Sequence, residues 1–161
     1  MGNYKELILK VDLKEDDLPD NVINVLQYLF TNDKTEIDIK DLPDHELFKL
    51  DSWRSKWKLV GSGTSAYHPG GVYNELIYAF GKPTSLFTKF DMRAESDTIE
   101  FFLDWLKPYI ETYGEIKCIG WIWFNDQDNE PSLLYFYENR YLLKLVKLHD
   151  YVECIIREEL I

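Results

Sequence analysis

The chain has 161 residues, of which 45% are hydrophobic and 16% aromatic. That excludes a disordered segment and gives enough apolar surface to close a core without a metal or a disulfide framework. Lys and Arg number 18 against 29 Asp and Glu, a formal net charge of −11, which argues against direct binding to a phosphate backbone and for a basic partner or simple solubility.

Leu7, Leu9, Val11 and Leu13 alternate with Ile8, Lys10 and Asp12, the period-two pattern of a strand with one buried face. Lys14, Glu15, Asp16 and Asp17 form a polar connector, with Asp17 placed to cap a helix and Pro19 in its first turn. Val22, Val25, Leu26 and Leu29 make one helical stripe, widened by Ile23 and Phe30. Thr31-Asn32-Asp33 ends it. Residues 34–50 are acidic and weakly periodic. They read as a long surface connection with at most a short strand at 37–39, and connections this long are often functional.

Residues 57–67 look extended, Pro69-Gly70-Gly71 turns, and residues 72–80 form a strand closed by Gly81-Lys82-Pro83-Thr84. Residues 86–92 form the next strand. Asp97 and Glu100 make a capping box for a second helix. Its one face carries Ile99, Phe102, Leu103, Leu106 and Ile110, with Phe101, Trp105 and Tyr109 as an aromatic stripe beside it. Pro108 and Gly114 mark its end. Residues 116–124, 133–137 and 141–148 are dense in β-branched and aromatic side chains and read as a three-stranded meander. Its first turn is the acidic loop 125–132. Residues 150–161 fit a short helix.

The expected class is therefore α+β, a single domain over residues 1–161. A mostly antiparallel sheet of about six to seven strands would carry two helices on one face. An internal repeat is also read. Lys10-Val11-Asp12-Leu13-Lys14 matches Lys89-Phe90-Asp91-Met92-Arg93, and each leads into a helix. This implies a pseudo-twofold relation between strand-helix-strand-strand halves, 4–80 and 85–148.

No catalytic signature is evident. His45, His68 and His149 lack partners at motif spacing, and no nucleophile, base and orienting group assemble. Asp126, Asp128 and Glu130 alternate as calcium ligands do, but Pro131 and Tyr137 stand where a glycine and a glutamate are needed. Cys118, His149 and Cys154 lack a fourth zinc ligand, so both cysteines are expected as free thiols. No cofactor or metal is expected. Residues 1–6 open neither a signal peptide nor a myristoylation pattern, and no apolar run is long enough for a membrane span. A cytoplasmic, non-enzymatic protein is the expectation.

Two features point to a partner. In Trp53-Arg54-Ser55-Lys56-Trp57-Lys58, Trp53 and Arg54 are side chains of the hot-spot type; the plainer reading has Trp53 and Trp57 plugging the core while the charges reach water. The second is the set of acidic connections at residues 15–17, 33–46 and 126–130, with Asp126, Asp128 and Glu130 as the chosen contacts. A solvated acidic surface is the plainer reading there. Tyr67, His68 and Tyr73, with glycines between, would line an aromatic pocket if the protein instead sequesters a small ligand.

Leu42-Pro43-Asp44-His45-Glu46-Leu47-Phe48, followed by Trp53-Arg54 and Trp57, resembles a segment of small uncharacterised proteins of bacterial genomes, phages and prophages. The runs Phe101 through Ile110 and Glu130 through Tyr135 look similar too. The resemblance carries no activity and no functional residues. It implies a small accessory protein of a mobile element, in the setting where anti-CRISPR inhibitors and acidic decoys occur. The expected partner is a basic surface, such as the channel of a nucleic-acid-binding nuclease. An immunity protein that neutralises a toxin enzyme fits the same size and charge.

Overall fold

The computed structural model describes residues 4–31, 37–49, 56–62, 71–93, 97–124, 131–145 and 156–157. They form one sheet of eight strands with two α-helices. The strands are β1 (Tyr4–Leu13), β2 (Tyr73–Ala79), β3 (Lys82–Arg93), β4 (Ile110–Glu111), β5 (Lys117–Phe124), β6 (Ser132–Tyr137), β7 (Arg140–Leu145) and β8 (Ile156–Arg157). The helices are α1 (Asp20–Phe30) and α2 (Thr98–Leu106). The strand order is β2-β3-β1-β5-β6-β7-β8, with β4 paired to the end of β1, and every pairing is antiparallel.

β1 is the spine because its alternation buries one whole face. Leu7, Leu9, Val11 and Leu13 are buried, and the register sets Leu7 beside Phe90 of β3 and Ile122 of β5. The same face continues through Leu86, Leu134 and Phe136. Both helices cover it, using the stripes read from the sequence: Val22, Val25, Leu26 and Leu29 of α1, and Ile99, Phe102, Leu103 and Leu106 of α2, are buried. Phe102 touches Phe30 of α1 and Phe90 of β3, with ring centres 5.7 and 6.0 Å away, so the two helices and the sheet meet at one ring. Lys5, on the same face, pairs with Glu100 in the first turn of α2.

With α1 following β1 and α2 following β3, the order β2-β3-β1-β5 is a split β-α-β arrangement. β6 and β7 extend it as the expected meander. The internal repeat is not shown. The described residues 37–49 and 56–62 run through short turns after α1, while the second half carries four strands after α2.

Several local expectations change. Pro19 stands at the N-cap and α1 begins at Asp20, with Asp17 instead in a 3-10 turn at Glu15–Asp17 and no side-chain cap. Asp97 makes no side-chain capping hydrogen bond, and the Glu100 carboxylate is engaged by Lys5 instead. Lys82, Pro83 and Thr84 belong to β3 and do not close the turn; the turn is the two residues Phe80-Gly81. Ile110 lies in β4, after a 3-10 turn at Lys107–Tyr109. Residues 56–59 form a 3-10 turn where an extended segment was expected, a 3-10 turn at Ile39–Asp41 overlaps the place of the short strand expected at 37–39, and another follows at Glu46–Phe48. In the expected C-terminal helix, the described residues Ile156–Arg157 pair with β7 as a strand.

The long connection after α1 is also less superficial than its composition suggests. Leu47, Trp57 and Val60 are buried. Trp57 packs between Tyr28 of α1 and Phe48, with ring centres 5.4 and 5.6 Å away, and Phe48 meets Trp105 of α2 edge-on at 5.5 Å. These rings carry the connection into the core.

Tyr141 closes the other side. Its buried hydroxyl donates to the Leu103 carbonyl at 2.7 Å, tying β7 to α2. Burial, with the nearby Asp104 charge, raises its pKa well above the ordinary value. The folded chain therefore keeps a proton that the unfolded chain loses near pH 10, and this contribution to stability falls as pH rises through about 10. Tyr141→Phe is expected to cost about 1 kcal/mol at neutral pH. It should also flatten the alkaline loss, which denaturant titrations at neutral pH and above pH 10 would show.

Candidate functional site

Of the residues singled out from the sequence, Trp53, Arg54, Tyr67, His68, Asp126, Asp128 and Glu130 lie outside the described residues. Tyr73 is described: it is exposed on β2, packs on Phe87 at 4.9 Å and donates to Glu75 at 2.7 Å. That carboxylate bond raises the Tyr73 pKa. Trp57 is core, the plainer of the two readings for it. Cys118 is an exposed free thiol.

His45 has a structural post. It precedes the 3-10 turn Glu46–Phe48, and its Nδ1 accepts from the Leu47 N–H at 3.1 Å. The neutral ring then carries its proton on Nε2, which faces Asp104 of α2 at 3.2 Å. Lys107 also donates to Asp104, at 2.8 Å, and this bond lowers the Asp104 pKa; partial burial opposes the shift and His45 adds to it. The pair holds the connection onto α2, and no hydroxyl or thiol joins it among the described hydrogen bonds.

On the sheet face away from the helices, Glu6 and Asp91 stand opposite one another and are nearly buried, with Lys89 3.5 Å from Glu6. No group of three or more His, Cys, Asp or Glu able to hold a metal occurs among the described residues. No helix among them is long and apolar enough to cross a membrane.

A cleft of about 610 Å³ lies at the end of the sheet where β1 finishes. Its carboxylates are Asp12, Glu15, Asp16, Asp17 and Glu111. The register explains the gathering. Asp12 is paired on one side with Ser85 of β3 and on the other with Glu111 of β4, and the chain then turns through Glu15–Asp17 directly above. Lys117 meets Asp12 at 3.1 Å and Lys82 meets Asp16 at 3.7 Å. Lys14 is drawn off to the Pro108 carbonyl at 3.0 Å. Lys82 also donates to the Glu15 carbonyl at 3.3 Å, but among the described residues the carboxylates of Glu15, Asp17 and Glu111 pair with no basic side chain, so the cleft is negative.

Rings surround this end. The β2–β3 turn is Phe80-Gly81, with φ of 51° and 84°, and Phe80 is fully exposed. The turn after β4 is Tyr113-Gly114, with φ of 54° and 78°; Tyr113 lines the cleft and is 73% exposed. The β6–β7 turn is Glu138-Asn139, with Tyr137 exposed before it. These four are all the non-glycine residues at positive φ among the described residues, and all sit at the same end. An aromatic side chain at such a φ costs roughly 1–2 kcal/mol relative to a right-handed position. Lys117 already lies over the Tyr113 ring at 4.4 Å, so this ring is presented to a cation.

Sequence reasoning located the Glu15-Asp16-Asp17 acids but missed their rim. The signal was available as Phe-Gly and Tyr-Gly pairs between strands, which read less clearly as two-residue turns than Asn-Gly does. Compared with protein-family models, curated proteins and solved structures, the chain matches none of them.

Proposed function

We propose that the protein is a non-enzymatic interaction protein that binds a basic protein surface, acting in the cytoplasm as an accessory factor of a mobile element. A defence nuclease, engaged at its nucleic-acid channel, is the partner the sequence resemblance suggests. The observation that carries this reading is the negative cleft at the end of β1, flanked by exposed rings at Phe80 and Tyr113. Carboxylates attract and orient a cationic partner, and their effect weakens with salt. Exposed rings anchor it once it arrives.

A labelled arginine-rich peptide tests the recognition directly by fluorescence anisotropy at low and at threefold higher ionic strength. The native chain is expected to bind, with affinity falling as salt rises. The triple variant Glu15→Lys, Asp16→Lys, Asp17→Lys is expected to bind about tenfold or more weakly and to lose most of the salt dependence. Phe80→Asn is expected to weaken binding at both ionic strengths while stabilising the fold by several tenths of a kcal/mol, since asparagine tolerates positive φ. Unchanged affinity in the triple variant would refute the reading.

A further inference from the structure

Ten large apolar side chains are exposed among the described residues, and five of them fall within residues 72–80: Val72, Tyr73, Ile77, Tyr78 and Phe80. That stretch is β2 with its flanks. Among the described residues β2 pairs only with β3, so no described strand occupies its other edge. Sheet edges are usually blunted by lysine, proline or an inward charge. β2 has none of these. Its sequence is Tyr-Asn-Glu-Leu-Ile-Tyr-Ala, with Glu75 as the single charge.

We propose that β2 pairs antiparallel with β2 of a second copy of this chain, joining two sheets into one across a twofold axis. Charge decides the occupant and the register. A chain of net charge −11 repels its own kind over most of its surface, and residues 72–80 carry only one charge, so this edge is where two copies can approach. The pairing is isologous, so each residue meets a residue of the same sheet face. Centring on Glu75 would set two carboxylates directly opposite, which destabilises the pair. Centring on Leu76 sets Glu75 of each copy opposite Ile77 of the other, and Tyr73 opposite Ala79. That register leaves no like charges facing. It also keeps the helices of both copies on one side of the joined sheet, with α1 of each copy over its own β2. The proposal uses none of the cleft's carboxylates and stands or falls without them, but it shares Phe80, which this register sets opposite Val72 of the other copy.

Sedimentation velocity on the full chain, from low to high micromolar concentration, tests it with two substitutions at one position. The native chain is expected to show a concentration-dependent dimer. Ile77→Glu puts a second carboxylate opposite Glu75 twice per dimer and is expected to weaken association roughly tenfold or more. Ile77→Lys puts an ammonium there and is expected to keep the dimer within about threefold of native affinity. Ile77 is exposed, so circular dichroism melts of both variants should match the native monomer. A native chain that stays monomeric throughout, or a lysine variant that dissociates as fully as the glutamate variant, would overturn the proposal.

Discussion

Gly120→Ala is expected to leave little folded protein. Gly120 has φ of 151°, in the region that L side chains rarely adopt, and sits at the irregularity in the β5–β6 register between Cys118 and Gly120. A Cβ built there lies 1.9 Å from the Ile8 carbonyl oxygen and 2.8 Å from its carbon. The obstruction is backbone, so no side chain can swing aside. Ile8 cannot retreat either, because β1 is held by β3 on its far side across nine paired positions. Separating β1 from β5 would break the sheet in the middle. The expected cost is about 4 kcal/mol or more, a large share of a typical domain's stability of about 5–15 kcal/mol. Gly114→Ala is the control: its φ is also positive, but nothing lies within 4 Å of the added carbon, so about 1–2 kcal/mol is expected. Thermal melts followed by circular dichroism separate the two. A Gly120→Ala melting temperature within a few degrees of the Gly114→Ala value would show that β1 and β5 do not approach this closely.

Trp57→Ala is expected to cost about 3–5 kcal/mol, the range for removing a buried large aromatic side chain. The ring is nearly fully buried and bridges Tyr28 of α1 to Phe48, which in turn meets Trp105 of α2. Its loss would detach the connection from the helices, exposing Leu47 and Val60 as well. Denaturant unfolding should show the reduced midpoint. Limited proteolysis should show earlier cleavage within residues 37–62. Lys58 lies over the outer side of the same indole at 5.6 Å, so Lys58→Ala should cost no more than about 1 kcal/mol. An unchanged midpoint in Trp57→Ala would mean that the indole is not the pin that holds this segment.

The elements that were legible in the sequence are those whose pattern is set by one buried face. β1 shows its alternation because Leu7, Leu9, Val11 and Leu13 point into the helices while Lys10 remains in water. The stripes of α1 and α2 are clear for the same reason. The connection 37–62 was harder to read, because 3-10 turns of three or four residues are too short to show a period. Its three anchors, Leu47, Trp57 and Val60, are scattered through polar sequence. The candidate site divides in a similar way. Glu15-Asp16-Asp17 is visible as a charge run, but its neighbours Asp12, Ser85 and Glu111 join it only through strand register. The aromatic rim depends on positive φ at Phe80 and Tyr113, a backbone state that neither residue type advertises.

The central place of β1 has a consequence for how the chain is made. Leu9 is paired with Thr88 on one side and Gly120 on the other, about 80 and 110 residues downstream. At a synthesis rate of about 5–20 residues per second, β1 waits roughly 4–16 s for its nearest neighbour and longer for the second. Throughout that interval its leucines have no sheet to join. The nascent chain is therefore a ready client for a chaperone, and slowed translation between β1 and β3 should lower the soluble yield more than the same delay placed after β5.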